Sequence, residues 1–232
     1  MIEIVFDTPN NFTRSDKVPA SEIIGLMSGW DFDLKDNIIV NVAKDNVSPV
    51  DGQTNEILDV TDSFGNIYTK TAEYCLGRNK AGSGVVVAQF CARNTVVAPN
   101  TTVLQITAHF SSSAKAKAIA GSVLKSDQPL EVVAVDFRTD INSDAGPMDL
   151  VVPDAEHLWV RSMGKEGVHG SLTTTIWGWD WAAVGTNGSP TASNISVGTE
   201  LAVVMGPSNP SNPIWLFGGD HVSIYAAYKE VV

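Results

Sequence analysis

Positive charge is scarce in this chain of 232 residues: 15 Lys+Arg stand against 26 Asp+Glu, a formal net charge of −11. Such a surface repels phosphate backbones and anionic lipid, so neither nucleic acid nor a membrane surface is an expected partner. Histidine is also sparse. His109, His157, His169 and His221 are widely separated, with no H-E-x-x-H pattern and no i,i+4 pair, so spacing predicts no metal centre and no metal cofactor. No apolar run approaches the ~18–20 residues of a bilayer span. The opening residues Met1–Asp7 lack the basic and continuous apolar regions of a secretory signal. The expectation is therefore a soluble chain made in a cytoplasm without a cleaved leader. Only two cysteines occur, Cys75 and Cys91, on apolar runs flanking the turn-rich segment Gly77–Gly84. A hairpin there would let them face each other, whereas a reducing compartment leaves two buried free thiols, which is the expected state. The motifs of common enzymes are missing as well: there is no G-x-S-x-G elbow, P-loop or Rossmann glycine pattern. A carboxylate pair for glycoside hydrolysis needs only proximity in space and stays open. Otherwise the reading is non-enzymatic and without a cofactor.

A hydrophobic content of 44% is ample for a folded core. The recurring pattern is four to eight residues rich in Val, Ile, Thr and aromatics, closed by Gly, Asn, Asp, Ser or Pro, which predicts strands and turns. Candidate strands include Asn37–Val42, Glu56–Thr61, Asn66–Tyr74, Gly84–Ala92, Thr101–Phe110, Ala114–Val123, Glu131–Arg138, His157–Ser162, Ser171–Trp177, Glu200–Met205 and His221–Tyr228. In Ala114–Ala120 lysines alternate with alanines, as in a half-buried strand, although Ala and Lys also favour helix. One short helix is expected at Ala20–Met27, entered after Pro19. Residues 1–25, broken by Pro9 and Pro19, read as an extended arm, and residues 26–232 as one domain. The predicted fold is all-β: an antiparallel β-sandwich, jelly-roll or Ig-like, with an extended N-terminal arm.

Three local constellations carry the candidate sites. Asp62-Ser63-Phe64-Gly65-Asn66 separates two apolar runs. There Gly65 suits a positive-φ position and the Asp62 carboxylate can accept N–H groups of its own turn, so Asp62, Gly65 and Asn66 read as turn-structural. Asp31, Asp33 and Asp36 invite a calcium reading, but the sixth and twelfth positions counted from Asp31 hold Asp36 and Val42 in place of the EF-hand Gly and Glu. Trp177, Trp179 and Trp181 recur at period two, placing three indoles on one face of a strand. Such a stripe fills a core or, exposed, stacks on sugar rings or anchors an interface.

The segment Ile57–Thr69, with its V-T-D-S-F-G-N-I-Y core, resembles a hairpin of β-sandwich domains found in tailed-bacteriophage virion proteins. In that resemblance, runs like Gly84–Cys91, Thr101–Thr107 and Ala114–Ala120 follow, and a strand like His221–Tyr228 closes the sandwich. The likeness extends over roughly residues 37–138; the tryptophan stripe and the arm lie outside it. What it implies is a non-enzymatic virion structural protein assembled in the bacterial host cytoplasm, a capsid decoration or cement protein contacting major capsid or tail proteins. The protein would be a homo-oligomer, with a trimer as one form. Phe6, Phe12 and Val18 of the arm are then the candidate capsid contacts. The alternative is a tail-fibre or receptor-binding module recognising a host glycan through Trp177–Trp181.

Overall fold

The computed structural model describes residues 2–4, 11–27, 36–93, 95, 103–126, 128–140, 156–166, 172–173, 182–187, 195–204, 214–215 and 220–231. Among them the chain is all-β. Strands β1 (Ile2–Ile4), β2 (Asn11–Asp16), β3 (Ala20–Met27), β4 (Asn37–Asp45) and β5 (Ile57–Asp62) come first. β6 (Tyr68–Leu76), β7 (Val85–Ala92), β8 (Leu104–Ala114), β9 (Lys117–Ser126), β10 (Leu130–Asp140) and β11 (His157–Glu166) follow. The last are β12 (Leu172–Thr173), β13 (Ala182–Asn187), β14 (Ile195–Val204), β15 (Ile214–Trp215) and β16 (His221–Glu230).

Three antiparallel sheets stack face to face. A central sheet runs β1/β2-β9-β4-β7-β6, with β1 and β2 end to end along the same edge of β9. One face packs on the three-stranded sheet β3-β8-β5, the other on the five-stranded sheet β10-β16-β11-β14-β13. The central strands show why. β7, Val85-Val86-Val87-Ala88-Gln89-Phe90-Cys91-Ala92, is buried at every position, and β4 is nearly so. A run apolar at successive positions is what a strand covered on both faces needs. Val86, Ala88 and Phe90 enter the core shared with Ile57, Ile106 and Phe110 of the smaller sheet. Val85 and Val87 enter the core shared with Val197 and Ile224, and Cys91 the adjoining cluster around Leu158 and Tyr228. Each fully buried aliphatic or aromatic side chain contributes roughly 1.5–3 kcal/mol relative to exposure. β8, in an outer sheet, alternates instead: Leu104, Ile106, Ala108 and Phe110 face the core, while on the other face Gln105 is exposed, His109 half-exposed and Thr107 buried. The outer face of the five-stranded sheet is buried as well, at Trp159, Arg161, Lys165 and Tyr225. Burial pushes the Arg161 guanidinium down to about 10, and it lies 5.9 Å from the Tyr225 ring centroid.

The helix expected at Ala20–Met27 is a strand. Its apolar residues follow period two, with Ile23, Gly25 and Met27 buried, and Ile23–Met27 pair residue by residue with Ala108–Leu104. Pairing across a sheet overrides a weak local helix start, which Ile23-Ile24 does not favour in any case. The strand reading of the Ala/Lys segment holds, with a turn at Lys115-Ala116 between β8 and β9. Ala116, Ala118 and Ala120 bury one face as expected, but Lys117 is not solvated: it is buried, and its ammonium donates to the Val18 and Ala114 carbonyls. Of the N-terminal segment, the described residues form β1 and β2, an edge of the central sheet, and the start of β3, inside which the anticipated boundary after residue 25 falls.

The three sheets end in register on two sides. β5, β6 and β10 close one side, while β3, β2 and β13 close the other.

Candidate binding site

On the first of these sides a cleft of ≈ 420 Å³ opens between β6 and β10, lined by Gln53, Thr54, Asn55, Lys70, Thr71, Ala72, Glu73, Val135 and Phe137. Its chemistry rests on a β-bulge. Lys70 pairs with Phe90 and Ala72 with Gln89, so Thr71 is an extra residue in β6. In a regular strand residues three apart point to opposite faces; the bulge brings Lys70 and Glu73 to one face. They form an ion pair at 2.8 Å, and the Lys70 ammonium also donates to Asn55 Oδ1 at 2.7 Å. Glu73 Oε1 accepts the Thr54 hydroxyl and the Glu56 N–H, each at 2.6 Å, which fixes the rim segment 53–56 against β6. The opposite wall is Phe137, stacked on Tyr74 at 4.9 Å between centroids.

The rim loops have their own scaffold. Lys44, whose side chain is wholly buried, donates to Glu56 Oε2 at 2.5 Å, and the same carboxylate accepts the N–H groups of Val47 and Ser48. Asn46 donates to the carbonyls of Ser48, Gly77 and Lys80 and accepts from the N–H groups of Ser83 and Gly84. One side chain thereby ties together the loops before β5 and before β7.

Behind the cleft, polar side chains from the central sheet and the five-stranded sheet meet in the interior. Asn41 and Gln89 interrupt the apolar runs of β4 and β7, and each is fully buried. Asn41 bonds Thr199 and Ser162, Gln89 bonds Ser162 and Tyr228, and the Tyr228 hydroxyl reaches Thr71 at the cleft. Burial holds the Tyr228 phenol well above its ordinary value of 10. Every member therefore has a partner, which is what makes a polar group tolerable at this depth.

The Asp62 carboxylate accepts N–H bonds from Phe64 and Asn66, the Asn66 side-chain amide at 2.7 Å and the Tyr68 hydroxyl at 2.9 Å. Gly65 takes φ +77°. All four donors belong to the turn or to the start of the next strand, so this carboxylate is occupied in closing the β5–β6 connection. Trp177, Trp179, Trp181 and Phe6 lie outside the described residues, as do Asp31, Asp33 and His169. Phe12 lies in β2, opposite Gly121. Val18 is 63% exposed in the turn between β2 and β3, where its N–H donates to Asp16 Oδ1 at 2.7 Å. Among the described residues no three His, Cys, Asp or Glu side chains gather as a metal site. His109 sits on the outer face of the small sheet in a row with Glu22 and Asp59, its Nε2 3.0 Å from the Thr61 hydroxyl.

The cysteines are both free and buried, but they do not face each other. Cys75 lies in the core on one side of the central sheet and Cys91 in the core on the other. Register decides this: Cys75 is opposite Val86, and Cys91 is opposite Thr69. Burial pushes both thiols up to about 12. We expect an aromatic disulfide reagent at pH 8 to label neither thiol in the native protein and both after unfolding. Rapid labelling of either in the native state would contradict the packing.

Thr71, Phe137 and their neighbours carry no motif that sequence reading could use. Two signals existed: Asn41 and Gln89, polar residues inside apolar runs, and the i,i+3 pair Lys70/Glu73 within a strand. Compared with known proteins, the chain matches no family model, no curated protein and no solved structure.

Proposed function

We propose that the chain is a non-enzymatic structural module of a bacteriophage virion, a decoration protein seated on the particle through its N-terminal strands and a sandwich face. The observation that carries this reading is the use made of its acidic groups. Glu56, Glu73, Asp62 and Asp51 each accept backbone N–H bonds, from Val47 and Ser48, Glu56, Phe64 and Asn66, and Gly77 respectively. Carboxylates held in this way stiffen loops, and a rigid all-β body with large contact area suits a particle surface. The likeness of the Ile57–Thr69 hairpin to phage virion sandwiches supplies the biological setting, and fold alone does not fix it. Exposed apolar residues on the body, Val18 at 63% and Leu26 at 58%, are the contact candidates nearest the N-terminal strands.

Antibody labelling of virions from the source lysate, viewed by electron microscopy, tests the proposal. Label spread over the head is expected. Label confined to the tail would replace decoration by receptor binding, and absence of label from every particle would end the virion reading. Ile23 and Met27 fill the core, so the informative truncation removes only residues 1–10 and leaves β2 and β3 in place. That variant should stay folded and co-sediment less with particles, and replacing Val18 and Leu26 by Ser in addition should abolish the remainder.

A further inference from the structure

The hydrogen bonds running inward from the cleft have a direction that can be followed atom by atom. Asn41 Nδ2 donates to Thr199 Oγ1 at 2.6 Å, and the Ser162 hydroxyl donates to Asn41 Oδ1. Gln89 Nε2 donates to Ser162 Oγ at 2.5 Å, and the Tyr228 hydroxyl donates to Gln89 Oε1 at 2.6 Å. A hydroxyl has one proton. That of Tyr228 is committed to Gln89, so across the 2.7 Å contact with Thr71 it is Thr71 that donates. The Thr71 proton therefore points into the protein, and at the cleft its oxygen offers lone pairs only.

Donors line the same cleft. Lys70 has three ammonium protons and directs two of them to Asn55 Oδ1 and Glu73 Oε2. The Asn55 and Gln53 carboxamides are exposed at the rim. The Lys70–Glu73 pair makes the lining formally neutral, so it selects neither an anion nor a cation, and the chain's charge of −11 further disfavours anions. Phe137 and Val135 add an apolar wall. A peptide adding as a strand needs an unbroken edge ladder, and the Thr71 bulge interrupts that of β6. What remains is a neutral molecule with closely spaced hydroxyls and one apolar face, the chemistry of a sugar ring.

We infer that the cleft between β6 and β10 binds one unit of a neutral saccharide. A ligand hydroxyl donates to Thr71 Oγ1, Lys70 and Asn55 donate to ligand oxygens, and the C–H face of the ring lies on Phe137. None of the residues lining this cleft belongs to the tryptophan stripe, and the inference does not depend on the virion reading. The test is an amide-resolved NMR titration of the full chain with the methyl glycosides of glucose, galactose, mannose and N-acetylglucosamine. At least one should shift the amides of residues 53–55 and 70–73 with millimolar affinity. Thr71→Val keeps the shape but removes the acceptor and should weaken binding roughly tenfold, while Thr71→Ser should restore it. Asn55→Ala, at an exposed position away from the buried chain, is a second variant that should weaken binding without disturbing the fold. No shift with any of the four glycosides, shifts confined to other regions such as Trp177–Trp181, or unchanged affinity in both Thr71→Val and Asn55→Ala would overturn the assignment.

Discussion

Glu56→Ala is expected to destabilise the protein by roughly 3–5 kcal/mol, the range for breaking a buried ion pair from one side. The substitution leaves the Lys44 ammonium, on a side chain with no exposure, with its hydrogen bond to the Asp45 carbonyl but without its ion-pair partner. It also removes the acceptor of the Val47 and Ser48 N–H groups, in a loop tied to the central sheet by the single Gly52–Cys75 bridge. Urea unfolding at pH 7 should show a lower midpoint at unchanged slope. The reverse change, Lys44→Met, should cost less, because the Glu56 carboxylate keeps those two donors and the methionine fills the lysine's volume without a charge. The double variant Lys44→Met/Glu56→Gln should therefore be more stable than Glu56→Ala alone, with a favourable coupling between the two sites. A loss under about 1 kcal/mol for Glu56→Ala would mean that water reaches Lys44 and that the pair is energetically a surface one. The effect should extend to the cleft, since the Glu56 N–H is one of the groups that positions Glu73 and hence Lys70.

The parts of this fold that were legible in the sequence are those set by local pattern. The central strands were legible as strands from their Val- and Ile-rich runs, Asn37–Val42 and Gly84–Ala92, and the Asp62 turn from residue types that satisfy their own backbone. What escaped depends on partners distant in the chain. A sandwich of two sheets was the simplest expectation; the third layer follows from β10–β16 burying Leu158, Val160 and Ile224 against a central sheet already covered on its other face. Ala20–Met27 became a strand only because β8, some eighty residues on, supplies its ladder. The placement of Cys75 and Cys91 on opposite faces depends on parity along two strands, one carrying a bulge that no propensity reveals. The cleft is the extreme case, since Thr71 and Phe137 approach only when the edges of two different sheets are brought together. Gln89 and Asn41 were the visible trace of it, because a polar residue inside a doubly buried run requires a partner across the interface.

Gly164→Val is the second change expected to have a large effect, about 3 kcal/mol, at the upper end of overpacking costs. Gly164 sits on β11 between the five-stranded and central sheets, with Val222 and Val197 as its lateral neighbours. A Cβ placed there would lie 2.2 Å from Val87 Cγ2, 3.0 Å from Ala43 Cβ and 3.3 Å from Val85 Cγ2. None of these can step aside: Val87 and Val85 are β-branched and stiff at χ1, and Ala43 has no further torsion. The strain must open the layers, and Ser162, two residues away on the same face, would be drawn from Asn41 and Gln89. Packing and the polar chain are thus coupled through one backbone position. Gly164→Ala should show the same defect at smaller size, and adding Val87→Ala should return part of it, because the second change removes the atom in the way. Thermal unfolding of the four members of that cycle measures the coupling directly. A purely additive result would mean that Val87 is not the obstacle and that the glycine is there for some reason other than close approach to that side chain.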